Sequence, residues 1–323
     1  MRPMDFWKNF RLGEELNVSG AFIYNGLRRF YELRKLDHAD EIFEVFYYLS
    51  IGLERLMKIA IVLLEHEDTA DQTAFEKSLI THSHQDLLAR IKKRVKVNLS
   101  GPHNDFLSLL TTFYKTLRYD RFSLQSPASL GKERHALFDF LEKHLHAEFE
   151  DRDSVFGHEN DARYKKFLRQ IIIKISGTLY EIVKDRAREL NLYTYELRSG
   201  SKAETVFLGE ADMHGEDTLW KELLIFFMNT KETTGYLKFL REIEPLDFDP
   251  GLVDDYLRCF QSDSAKSEVI DELETLYEDL SDKKDRLEMM AVIGATNVFF
   301  DDEDEESMDD EEMEDDCGDD RDK

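Results

Sequence analysis

From Asp40 to His66 the chain sets Ile42, Phe43, Phe46, Tyr47, Leu49, Leu53, Met57, Ile61 and Leu64 at intervals of mostly three and four, with no proline between them. That period belongs to an α-helix with a buried face, and the run is far too long for a single strand. The same spacing recurs elsewhere. Residues 19–36 start at Ser19, a good N-cap, and carry Phe22, Ile23, Leu27, Phe30 and Leu33. Two helices joined so tightly are expected to pack as an antiparallel hairpin. Only 5 prolines and 15 glycines interrupt 323 residues, too few for a fold of many short strands. The fold class expected is all-α.

Further helices are expected over residues 73–97 (with a break near Thr81–His84), from His103 through Leu117, over 133–150, over 162–190, and in four pieces between 216 and 290. Ser100-Gly101-Pro102 marks a stop, and Pro127 and Gly131 mark a loop. Between Leu192 and Leu208, YTYEL and ETVFL have strand propensity, and Ser199-Gly200-Ser201 could turn a small hairpin between them. The segment around Leu219, Trp220, Leu223, Leu224, Phe226, Phe227 and Met228 is apolar nearly all round, so it is expected to be buried in the fold or against a partner. No fixed-period repeat is present, which argues against a solenoid. The organisation expected is a helical bundle over 1–150, a helical extension or second domain over 151–300, and a disordered acidic tail over 301–323.

Charge narrows the function. The net charge is −26, but residues 301–323 hold 16 acidic and 2 basic side chains and account for −14 of it. The remaining 300 residues carry −12, so any nucleic-acid binding must rest on a local basic patch. Cys259 and Cys317 lie too far apart for a disulfide framework or a zinc cluster. The N-terminus lacks the apolar stretch of a signal peptide, and no apolar run approaches the length of a membrane span. A cytoplasmic protein with no membrane partner is expected, with no cofactor.

Three constellations could carry chemistry. Glu54 and Lys58 lie four apart on the long helix and can pair on one face. His82, His84 and Asp86 open the next helical segment. Residues two apart do not share a helix face, so a cap reading is preferred to a metal site. Phe113-Tyr114 leads to Arg118-Tyr119. Arg90, Lys92, Lys93 and Arg94 form the strongest basic run, usable for phosphates or simply the solvated side of a helix. A second basic patch, Arg163, Lys165, Lys166, Arg169 and Lys174, opens the 162–190 helix with the same two readings. No phosphate-binding glycine loop or nucleophile elbow is present.

The order Glu54-x-x-x-Lys58, then His84-Gln-Asp86-Leu87, then Tyr114…Arg118-Tyr119 resembles the HEPN superfamily of helical bundles, over about residues 20–125. The resemblance implies an antiparallel helical bundle and a bacterial defence or toxin–antitoxin setting. The partner would be a protein, a second copy, RNA or a nucleotide. Many members are metal-independent endoribonucleases that use an Arg and a His four to six residues apart. Here Arg118 has no histidine at that distance, so the resemblance implies a nuclease-deficient binding module using Glu54, Lys58, His84, Asp86, Arg118, Tyr119 and the basic run. The alternatives are an active nuclease in which Arg152 and His158 supply the pair, a spacing that 10 histidines also produce by chance, or a helical adaptor unrelated to the family.

Overall fold

Helix begins close to the N-terminus and is broken only by short turns. A computed structural model describes residues 3–67, 71–120, 122, 131–149, 151, 152, 154, 157–192, 195–211, 213–232, 235–260, 263–295, 298 and 300. The expected tail, 301–323, lies outside them. Among the described residues the regular structure is helical, with a single isolated β-bridge between Lys35 and Glu159. Packing divides the chain into Met1–Glu216 and Asp217–Lys323, so the division falls later than residue 150.

In the first unit a short helical run, Pro3–Phe6 and the π-turn Trp7–Arg11, leads into α1 (Leu12–Glu32). There follow α2 (Ala39–Glu65), α3 (Gln72–Ser78), α4 (His84–Lys92), α5 (Gly101–Thr112), α6 (Lys132–Leu145), α7 (Ala162–Glu189) and α8 (Lys202–Phe207). α2 is the central helix. Its Leu56, Met57, Ile59, Ala60, Ile61, Val62 and Leu63 are all buried, so the apolar surface continues around the helix rather than ending at one stripe. α1, α4, α6 and α7 pack around it, α5 bridges α4 and α7, and α8 packs against α1 and α7.

The α1–α2 hairpin forms as expected, but Ser19 is not its cap. α1 starts seven residues earlier, and Ser19 is fully buried, with Oγ donating to the carbonyl of Gly52 at 2.7 Å. The helix expected over 73–97 is two helices separated by Leu79–Ser83, and α6 ends at Leu145, where His146 turns into the left-handed region at φ 52°. The hairpin expected near 192–208 is corrected. Tyr195–Leu197 forms a 3-10 turn and Lys202–Phe207 a helix capped by Ser201, whose Oγ accepts from the Glu204 amide at 3.1 Å. The Ser-x-x-Glu start signal outweighs the strand propensity of Tyr195, Thr205 and Val206.

A polar strap, 157–160, fastens the start of α7 to the end of α1. The Leu36 amide donates to the His158 carbonyl at 2.7 Å, and the Asn160 amide donates to the Arg34 carbonyl at 2.6 Å. Asn160 Nδ2 donates to the carbonyls of Phe30 (2.8 Å) and Leu33 (3.1 Å), which α1 would otherwise leave without partners.

α9 (Met213–Asn229) starts in the first unit and runs into the second, where α10 (Gly235–Glu242), α11 (Val253–Cys259), α12 (Asp263–Glu278) and α13 (Lys283–Val292) follow. α11 and α12 pack as a pair, tied by Tyr256, whose hydroxyl meets the Glu272 carboxylate at 2.8 Å. The expectation that residues 219–228 are buried within the fold is not met. Leu219, Leu223, Ile225, Phe226, Phe227 and Met228 are all exposed. No helix among the described residues is long and apolar enough to cross a membrane.

Candidate functional site

The residues that stand far apart in sequence at Glu54, His82 and Tyr114 meet in space. Glu54 lies on α2 with 8% of its surface exposed, and its carboxylate has two partners. Lys58, one turn later, donates to Oε1 at 2.6 Å, and His82 Nδ1 lies 3.0 Å from Oε2. The His82 ring packs on Tyr114, centroids 4.7 Å apart and tilted by 37°. The Arg118 guanidinium carbon sits 3.8 Å from the Tyr114 ring centroid and 4.4 Å from that of Tyr119, and its Nη2 donates to the Tyr119 hydroxyl. His82, Tyr114, Arg118 and Tyr119 thus form a continuous stack of planar groups with Glu54 and Lys58 at its base.

Local geometry explains the stack. After α5 the chain makes a π-turn, Phe113–Leu117, before the short helix Arg118–Asp120. Phe113 is fully buried edge-on against Phe43 (5.1 Å) and Phe46 (5.5 Å), which fixes the turn to α2. The widened turn shifts the register of Arg118 and Tyr119, as single π-turns commonly do beside functional sites. Arg118 Nε is buried and has no hydrogen-bond partner.

His84 does not share this surface. It is fully buried at the start of α4, with Nε2 2.8 Å from the Ser50 carbonyl, an arrangement in which Nε2–H donates and Nδ1 is left with no partner. Burial, the largest influence, pushes its pKa below the ordinary histidine value. Asp86 is exposed near the stack and faces Lys115 at 3.8 Å. His82 and His84 point to different partners, and among the described residues no group of three His, Cys, Asp or Glu could hold a metal ion.

The basic run is engaged within the fold. Arg90 donates to Glu65 at 2.8 Å and to the Ser78 carbonyl at 3.1 Å. Arg94 reaches the same Glu65 at 3.7 Å, and Lys92 donates to Asn104 Oδ1 at 3.1 Å. Lys93 alone keeps an exposed charge with no described partner. The second patch behaves alike, with Arg163 donating to the Leu145 carbonyl and Arg169 to those of Gly209 (2.6 Å) and Ala211 (3.0 Å).

Arg152 and His158 are held apart by different neighbours. Arg152 is clamped by Asp139 at 2.7 Å and Glu142 at 2.5 Å, and the Asp139 hydrogen bond raises its pKa further. His158 is edged between Phe138 (5.1 Å) and Phe149 (5.2 Å), on the 157–160 strap. Among the described residues neither hydrogen-bonds the other.

His82, a cap by its sequence position, belongs to the cluster in the structure. Its separation from Glu54 and Tyr114 along the chain becomes informative only once the three helices are folded together. Comparison with protein-family models, curated proteins and solved structures finds no match.

Proposed function

We propose that the chain is a HEPN-like helical binding module that takes single-stranded RNA or a nucleotide at the His82–Tyr114–Arg118–Tyr119 stack, and that it works by binding rather than cleavage. One observation carries the reading. An arginine guanidinium lies against two tyrosine rings, with a histidine ring on the far side of one of them, at the surface of a helical bundle. Bases stack on such planes without regard to sequence, each stack contributing ~1–3 kcal/mol, while the cation draws phosphate. The first unit has 34 acidic and 32 basic residues, so its net charge is only −2 and its field does not oppose an anionic ligand. Neutralisation of Arg152 by two carboxylates supports a role for that residue in the fold rather than at a phosphate. The defence or toxin–antitoxin setting follows from the family resemblance alone.

Fluorescence anisotropy with a labelled single-stranded RNA at low salt tests the proposal. Arg118→Ala and Tyr114→Leu are each expected to weaken binding about tenfold, one stack's worth. Arg152→Ala is expected to leave binding unchanged. An affinity equal in all four proteins, or no binding by the wild type, would rule the site out.

A second reading, metal-independent RNA cleavage, is favoured by one detail that does not involve Arg152 or His158. Glu54 meets His82 at Nδ1, which fixes the tautomer that leaves Nε2 on the half-exposed ring as a base. Cleavage of the same RNA in EDTA, lost in His82→Ala and retained in His158→Ala, would select this reading over pure binding.

A further inference from the structure

On the opposite flank of α7 a groove of 580 Å³ runs from Gln170 to Asp185, roofed by the 93–100 connection and by the end of α8. Ile173, Gly177, Ile182, Phe207 and Leu208 make its floor. Its charges are sorted by position. Lys174 and Lys96 stand toward one end, and Glu181 and Asp185 toward the other. Lys174 and Glu181 are seven residues apart on one helix, about 10 Å, and Lys174 and Asp185 about 16 Å. Among the described residues no hydrogen bond or ion pair engages the side chains of Lys96, Lys174 or Glu181, and all three are exposed. His103, beside Lys174, has its pKa lowered by burial and by that lysine, so the positive end is made by the lysines.

Shape selects the occupant. The groove follows α7 for about 22 Å, so its mean cross-section is about 26 Å², far below the roughly 80 Å² of a helix with its side chains. A single extended chain fits. At ~3.3 Å per residue, the two charge separations correspond to about three and five positions along such a chain.

We propose that this groove binds an extended peptide segment of a partner protein. The segment has an acidic residue for Lys96 and Lys174, a basic residue three to five positions away for Glu181 and Asp185, and apolar side chains between them for the floor. Backbone polar groups of the segment stay at the open side in water, and the opposed charges at the two ends exclude segments of uniform sign. This surface is distinct from the aromatic stack and does not depend on its reading.

Calorimetric titration of the full chain with a capped Glu-Leu-Ser-Leu-Lys peptide tests the proposal, with Glu-Leu-Ser-Leu-Glu and Lys-Leu-Ser-Leu-Lys as controls. The mixed-charge peptide is expected to bind at least tenfold tighter than either control. Lys174→Glu and Glu181→Lys should each weaken it at least tenfold. The double variant should recover the wild-type affinity, because the peptide can enter turned end for end. Both substituted side chains lie at the surface, and matching circular dichroism and Tm show that the variants fold. Equal affinity for the three peptides, a double variant no better than the singles, or no binding at about 1 mM peptide would each overturn the proposal. Dodecanoate displacing the peptide equally from every variant would assign the groove to a linear lipid and overturn it as well.

Discussion

Two buried polar residues on and beside α2 set measurable demands on the fold. Glu54 accepts from Lys58 and meets His82 with its side chain 10% exposed. Replacing it by glutamine leaves a partly buried ammonium without its counter-charge, and about 1–3 kcal/mol of stability should be lost in urea unfolding. Removing both partners, Glu54→Gln with Lys58→Met, should cost less than the sum of the single changes, because no charge is then stranded. His84 gives a pH dependence whose sign follows from burial. Its folded pKa lies below the ordinary value of 6.5, so the unfolded chain binds the proton more readily. Stability contributed by the neutral ring is complete above about 6.5 and declines as pH falls through and below that value. Tm measured from pH 8 down to 5 should therefore drop more steeply in the wild type than in His84→Gln. Parallel curves would show that another group controls the acid limb.

At the scale of elements, the α1–α2 contact is the most demanding in the molecule. A Cβ at Gly52 would lie 2.6 Å from Ile23 Cγ1, 3.0 Å from the Ile23 amide nitrogen and 3.1 Å from the Ser19 carbonyl oxygen. Backbone atoms cannot rotate away, so Gly52→Ala should destabilise by about 1–3 kcal/mol through overpacking. Gly101→Ala, at the open start of α5 with nothing within 4 Å of the new carbon, should be near neutral. Denaturant midpoints of the two variants decide it. This hairpin is legible in the sequence because its apolar residues repeat at helical spacing, and that period is a local property. The break at 79–83 and the capped start of α4 at Ser83 are legible for the same reason. The π-turn at Phe113–Leu117 is not, since it is fixed by Phe113 entering the pocket of Phe43 and Phe46, two side chains some seventy positions away. Over 192–208 strand propensity misleads because the Ser201…Glu204 start signal overrides it. Glu204 is further held by Lys184 at 2.7 Å and by the Gly200 amide at 2.8 Å. Of the site, the residue types and their order are readable, while the meeting of His82 with Glu54 and Tyr114 depends on how α2, α4 and α5 pack.

For the whole molecule, the distribution of charge follows the division of packing rather than a gradient along the chain. Met1–Glu216 carries −2, residues 217–300 carry 19 acidic and 9 basic side chains, and residues 301–323 add a further −14. Almost all the anionic character therefore belongs to sequence outside the unit that holds the aromatic stack. A polyanionic segment tethered to a nearly neutral binding unit competes with any free polyanion for the same cations, at an effective concentration set by the tether and independent of dilution. Arg118 and the exposed Lys93 are the cations at stake, few in number, so the competition should be modest and salt-sensitive. Deleting residues 301–323 should strengthen RNA binding several-fold at about 50 mM salt, and the gain should vanish near 300 mM, where charges more than a few ångströms apart are screened. Arg118→Ala in the deleted protein should remove that gain, because the cation the tail competes for is then missing. If deletion leaves the affinity unchanged at low salt, the tail acts on solubility alone and the stack binds without it.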